Sequence, residues 1–209
     1  MPFKNACFLS YRHAQFPLMR NFVVQFHEAL SSELEPLTDL RFYQDSKRLQ
    51  GGDFFNQQLS RNLCESVCMV MIYTPTYFSP DHLYCAREYA AMKDLEEKRL
   101  SRTTYGGHGL IIPVVLRDFD RLPDEIKKAR LVHQLDQFGL APVTIARIQG
   151  YAAKIRSLAE YIAERCRELE HVEPDCEEFE LPGEDEVMPL VRQMKRPAMP
   201  LPGRGVADA

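Results

Sequence analysis

The stretch VCMVMIYTPTYFSPDHLYCAREYAAMKDLEEKR (67–99) holds the reading that decides the fold. Its first eight residues, VCMVMIYT (67–74), are the strongest buried-strand signal in the chain. Turn residues TPTYFSPD (74–81) follow, and Asp81 is placed to N-cap a helix that runs to about Arg99. On a wheel of about 100° per residue, Tyr84, Cys85, Tyr89, Ala91, Met92 and Leu95 form one apolar arc, and Glu88 lies inside it. Arg87, Lys93, Asp94, Glu96, Glu97 and Lys98 fall outside the middle of that arc. A carboxylate facing the apolar side of a fold is costly unless something there uses it.

Outward from this unit, strands alternate with helices. NACFLSY (5–11) reads as a buried strand and FPLMRNFVVQFHEALSSEL (16–34) as an amphipathic helix. DLRFYQ (39–44) is a second strand, DSKRLQGGD (45–53) a loop, and FFNQQLSRNLCES (54–66) a second helix. GLIIPVVL (109–116) is a fourth strand, HQLDQF (133–138) a short fifth, and YAAKIRSLAEYIAERCRELE (151–170) a closing helix. The alternation predicts an α/β fold, a central parallel sheet of about five strands with helices on both faces. Open sheets of this kind bind ligands beyond the carboxyl ends of their strands. One rim would therefore collect Arg12, Phe54, Tyr77, Tyr84 and Glu88.

Composition narrows the function classes. The chain has 209 residues, 45% of them hydrophobic, enough to bury one substantial core. The net charge of −4 is concentrated in residues 172–209, which hold nine acids and four bases and leave the body at +1. A near-neutral body argues against nucleic-acid binding, which needs an excess of Lys and Arg. No apolar run approaches the roughly 18 residues of a membrane span, and the N-terminus lacks the pattern of a secretory signal. These features predict a cytoplasmic protein with reduced thiols. The six cysteines form no spacing framework, and neither a zinc-site pairing nor an H-E-x-x-H string occurs, so no metal is expected.

Three stretches taken in order resemble one family. FLSYRH (8–13), FYQDSKRLQGGDFF (42–55) and MIYTPTYFSPDHLYCAREYAAM (71–92) are similar to the opening box, the box-two loop and the Trp-Cys-x-x-Glu element of the Toll/interleukin-1 receptor (TIR) domain. The likeness is greatest to its NAD-cleaving bacterial and animal members and covers roughly residues 5–170. The last element stands here as YCARE, with Tyr84 in place of the usual tryptophan and Glu88 at the catalytic glutamate position. The resemblance implies a flavodoxin-like fold over residues 1–171 and an enzyme that uses NAD+ as substrate, with no cofactor. The products would be nicotinamide and ADP-ribose or a cyclic or conjugated ADP-ribose signal. It also implies self-association through TIR–TIR contacts and a setting in bacterial immunity, such as anti-phage defence, or as an effector.

Residue roles follow from that likeness. Glu88 would stabilise positive charge on the ribose or hold its hydroxyls. Tyr84 and Phe54 are stacking candidates, and Arg12 suits a pyrophosphate or the second ribose. Ser10, Tyr11 and Tyr77 complete the substrate-binding set. Each also has a plain structural role open to it: Tyr84 as packing, Phe54 as a helix anchor, Arg12 as a partner of Asp45, Ser10 and Tyr11 as loop-ordering groups, and Tyr77 as a lid. A non-catalytic TIR–TIR adaptor is the alternative function, and a phospho-receiver fits poorly because no acidic cluster follows the first strand. Residues 172–209, with six of the 14 prolines and segregated charge, read as an extended or disordered tail. Within it, EVMPLVRQM (186–194) is an apolar patch able to bind a partner or the domain's own surface.

Overall fold

A computed structural model describes residues 2–13, 17–44, 53–101, 109–138 and 148–194, the side chains of 53–55 excepted. Five strands form one parallel sheet: β1 (Asn5–Tyr11), β2 (Arg41–Gln44), β3 (Ser66–Tyr73), β4 (Ile111–Val115) and β5 (His133–Gln134). Their order is β2-β1-β3-β4-β5, the flavodoxin-like order, with its reversal point between β1 and β3. Every residue of β1, β3 and β4 is buried, as strands covered by helices on both faces must be.

The described residues also form six α-helices: α1 (Pro17–Leu34), α2 (Asp53–Cys64), α3 (Tyr84–Leu100), α4 (Asp124–Ala129), α5 (Tyr151–Glu168) and α6 (Glu184–Met194). The periodicity of α1 turns Met19, Phe22, Val23, Phe26, Leu30 and Leu34 into the core, where it meets α5. The α5 stripe includes Ile155, Leu158, Ile162 and Cys166. The fifth strand has two residues instead of the six its sequence suggests, and a 3-10 turn occupies Asp136–Phe138. Pro113 stands inside β4, and the ladder to β5 begins only at Val114, where no missing N–H interrupts it. Helix α4, six residues between β4 and β5, is too short for its periodicity to show in the sequence.

The C-terminal segment departs from its compositional reading. Residues 184–194 form α6, whose Val187, Val191 and Met194 are buried at helical spacing while Glu184, Asp185 and Glu186 face solvent. Those acids occupy the first turn, where the helix dipole favours them, and Glu186 accepts a hydrogen bond from the Gly183 N–H at 2.5 Å. Helix α6 packs on α3. Charge and proline counts missed the helix because they do not register which face each residue takes.

The expectation of reduced thiols is also corrected, since Cys64 and Cys176 form a disulfide across 112 residues of sequence. A pair so far apart leaves no spacing motif to read. Cys7, Cys68, Cys85 and Cys166 are buried and form no disulfide, and burial pushes the Cys7 and Cys68 thiols well above their ordinary range.

His133, in β5, provides a test of the packing. Burial, reinforced by the nearby Lys154 ammonium, pulls its imidazole down from 6.5 to about 4. Between those values the unfolded chain binds a proton that the folded chain refuses. Stability from this group is therefore complete above about pH 6.5 and lost as pH falls toward 4. We expect His133→Gln to remove about 2–3 kcal/mol of the acid-side decline in urea unfolding free energy relative to wild type. Identical pH profiles for the two proteins would contradict the assignment.

Candidate functional site

Helix α3 leaves the carboxyl end of β3 and returns along the sheet to its amino end, so its side chains serve both edges. At the amino edge, Arg99 donates from Nη1 to the Ser66 and Val67 carbonyls at 2.7 and 3.1 Å, and from Nη2 to the Cys64 carbonyl at 2.6 Å. One turn earlier, Glu96 accepts from the Leu110 and Ile111 N–H groups and is paired with the Arg130 guanidinium. Glu96 is therefore buried as well, although the helical wheel set it outside the apolar arc. Its burial has a structural explanation, because it neutralises Arg130 and caps the start of β4.

Glu88 lies about two turns before Glu96 on the same helix, at the opposite edge of the sheet. It is 1% exposed. The Ser10 hydroxyl, near the end of β1, donates to Glu88 Oε2 at 2.5 Å. Tyr77, in the turn after β3, lies with its hydroxyl 2.6 Å from Ser10 Oγ. Ser10 has one hydrogen and gives it to Glu88, so Tyr77 donates to Ser10. Burial, with Cys85 and then Glu88 adding to it, pushes the Tyr77 phenol well above its ordinary value and keeps that proton in place. The three residues join the carboxyl ends of β1 and β3, the two strands between which the sheet order reverses. That is where open α/β sheets place ligands.

The loop holding Tyr77 is braced by rings. Phe78 meets Tyr77 edge-on at 4.9 Å and Tyr89 of α3 at 5.3 Å. Helix α3 begins at Tyr84, three residues beyond the predicted cap. Asp81 is exposed in the preceding turn, where its N–H meets Ser79 Oγ, and the helix has Leu83 as N-cap with no side-chain bond.

The TIR domain family model matches residues 7–146, two thirds of the chain. This chain belongs to the TIR domain family. No curated protein matches it.

Within this TIR domain the remaining predicted residues are distributed around the Glu88 edge. Tyr11 is buried at the end of β1, stacked on His13 at 4.6 Å, and its hydroxyl receives Gln44 Nε2 at 3.4 Å. Arg12 is half-buried and reaches the Thr76 carbonyl at 3.4 Å, a long contact that holds it loosely. Tyr84 is half-buried, with the Arg87 guanidinium 5.3 Å from its ring centre. Phe54 falls in the first turn of α2, and its side chain lies outside the described residues, as do Asp45 and the rest of the box-two loop over 45–52. Ser10 and Tyr77 are both fully buried, with Ser10 bonded to Glu88 and Tyr77 to Ser10.

The sequence placed Tyr77 and Glu88 on one rim, and the family resemblance put Ser10 in the substrate-binding set, but neither revealed their direct connection. The usable signal was a hydroxyl at the end of an otherwise apolar strand. It also missed Arg87, whose Nε donates to the Pro182 carbonyl at 2.7 Å and links the helix of Glu88 to the C-terminal segment.

Removing the Ser10 hydroxyl takes a donor from a buried carboxylate and an acceptor from Tyr77, whereas removing the Tyr77 hydroxyl breaks only the outer bond. Ser10→Ala is expected to cost about 1.5–3 kcal/mol and Tyr77→Phe about 1 kcal/mol, measured by chemical unfolding. The reverse ranking would contradict the central place of Ser10 between Tyr77 and Glu88.

Proposed function

We propose that this TIR domain cleaves the nicotinamide–ribose bond of NAD+, with Glu88 as the catalytic carboxylate. The observation that carries the reading is a carboxylate buried at the reversal point of the sheet and bonded there to a β1 hydroxyl. Nicotinamide leaves NAD+ as a neutral molecule from a cationic state. Its departure therefore needs no protonation, unlike the leaving oxygen of ordinary glycosides, which requires a second carboxylic acid. A single desolvated carboxylate suffices to stabilise the oxocarbenium-like ribose or to hold its hydroxyls. Capture of that ribose by water gives ADP-ribose, and capture by a nucleophile of the same nucleotide gives a cyclic product.

On this reading Ser10 and Tyr77 are positioning residues that keep Glu88 aimed. We assign Arg12 to the pyrophosphate and Tyr84 to the nicotinamide or ribose, with Tyr11 and Phe54 completing the rim. Glu88 is sealed in the resting conformation, so substrate reaches it only when the rim opens, and we assign that opening to self-association between TIR domains. A setting in bacterial immunity accords with this chemistry. The sealed carboxylate also favours a second reading, a TIR–TIR adaptor in which Glu88 is only a packed constituent.

The test is incubation of the full chain with NAD+, dilute and under crowding, with nicotinamide and adenine-containing products resolved by chromatography and mass. Nicotinamide release is expected from wild type and is expected to fall at least about 100-fold in Glu88→Gln. Ser10→Ala should lower kcat with little change in KM, as a residue acting through Glu88 would. Release that survives in Glu88→Gln would remove Glu88 from the mechanism, and silence from concentrated wild type would favour the adaptor.

A further inference from the structure

We propose that the Cys64–Cys176 disulfide is a site of thiol–disulfide exchange with a dithiol reductant, and that it sets how tightly the C-terminal segment is held against helix α3. This inference is independent of the NAD+ reading.

The two sulfurs are not equivalent. Cys64 ends α2, is fully buried, and has its carbonyl held by Arg99. That hydrogen bond is to the backbone and does not depend on the state of the sulfur. Cys176 is half-buried and lines an open cleft of about 890 Å³ together with Pro2, Arg61, Glu65 and Glu173. Cys64 is thus the enclosed end of the bond and Cys176 the reachable end.

A thiolate arriving through the cleft attacks Cys176 Sγ, forms a mixed disulfide and expels the Cys64 sulfur, which takes up a proton. The second thiol of the reductant then displaces Cys176, which is protonated in turn, and the reductant departs as its own disulfide. Two electrons and two protons pass from the dithiol to the two cysteines.

Beyond Cys176 the segment runs across the helix that carries Glu88. The Leu181 N–H donates to Ser60 Oγ of α2 at 3.2 Å, and the Pro182 carbonyl accepts from Arg87 of α3 at 2.7 Å. Helix α6 buries Val187, Val191 and Met194, and Gln193 reaches Glu125 of α4 at 3.1 Å. Glu125 also holds Lys93 of α3 at 3.1 Å, so one carboxylate ties three helices. With the disulfide intact, α6 is tethered by the seven residues between Cys176 and Glu184. Without it, the tether lengthens to the fifteen residues that follow Glu168 of α5. Effective concentration falls roughly as the −3/2 power of tether length, so the detached population of α6 rises about threefold from this alone. Loss of the contacts around residues 177–183 adds to it. Detachment exposes Val187, Val191 and Met194 and the surface of α3 beneath them.

The experiment uses full-length protein purified without reductant. Peptide mapping after alkylation of free thiols is expected to recover a Cys64–Cys176 linked peptide. Hydrogen exchange is then compared before and after dithiothreitol, and in Cys176→Ser without it. Reduction should speed amide exchange over 177–183, and over 187–194 by about threefold or more, with α1 unchanged. Cys176→Ser should match the reduced wild type and fail to respond to dithiothreitol. Val191→Asp, with the disulfide intact, should also speed exchange over 187–194, which establishes that those amides read α6 docking. The proposal is overturned if no linked peptide is found, or if exchange over 187–194 is the same in oxidised and reduced wild type. Should Cys176→Ser fold poorly, the wild-type comparison decides.

Discussion

Helix α3 has to satisfy polar groups at both ends of the sheet it crosses, and the rest of the structure is arranged around that demand. Its Arg99 donates to the carbonyls at the start of β3, and its Glu96 accepts from the N–H groups at the start of β4. Buried backbone groups left without partners there would be costly. These bonds fix the helix in depth and rotation, and a helix fixed at one edge has its other end placed as well. Glu88 then arrives at the ends of β1 and β3 as a geometric consequence of where Glu96 and Arg99 must be. The hydroxyl of Ser10 and the turn bearing Tyr77 meet it there.

Two buried carboxylates on one helix sharpen what burial signifies. Glu96 is answered by a guanidinium and by backbone donors at the amino edge, and its presence is accounted for by architecture. Glu88 stands at the carboxyl edge beside the reversal of strand order, where no strand start needs capping. Position relative to the sheet, and not burial by itself, separates the two.

The legible parts of the sequence were those governed by local periodicity. The apolar run of β3, the stripes of α1 and α5, and the outlying Glu88 could all be read from spacing, because a strand or helix imposes its own repeat. Parts set by distant contacts were not legible. Glu96 is buried only because Arg130 comes from another element, and Cys64 and Cys176 meet only once the chain has folded. Composition misled over residues 172–194, where acids and prolines outnumber the three apolar side chains that α6 buries. Asp81 had the right chemistry for a cap, but the turn after β3 extends past it.

The strands at the two margins of the sheet carry a last implication. Strand β2 has four residues and β5 has two, flanking three longer strands that are wholly enclosed. A margin that short offers few unpaired backbone groups as a template for another chain. Among the described residues, the sheet margins are poor templates for extending one continuous sheet, and helices and loops supply most of the surface open to a second copy.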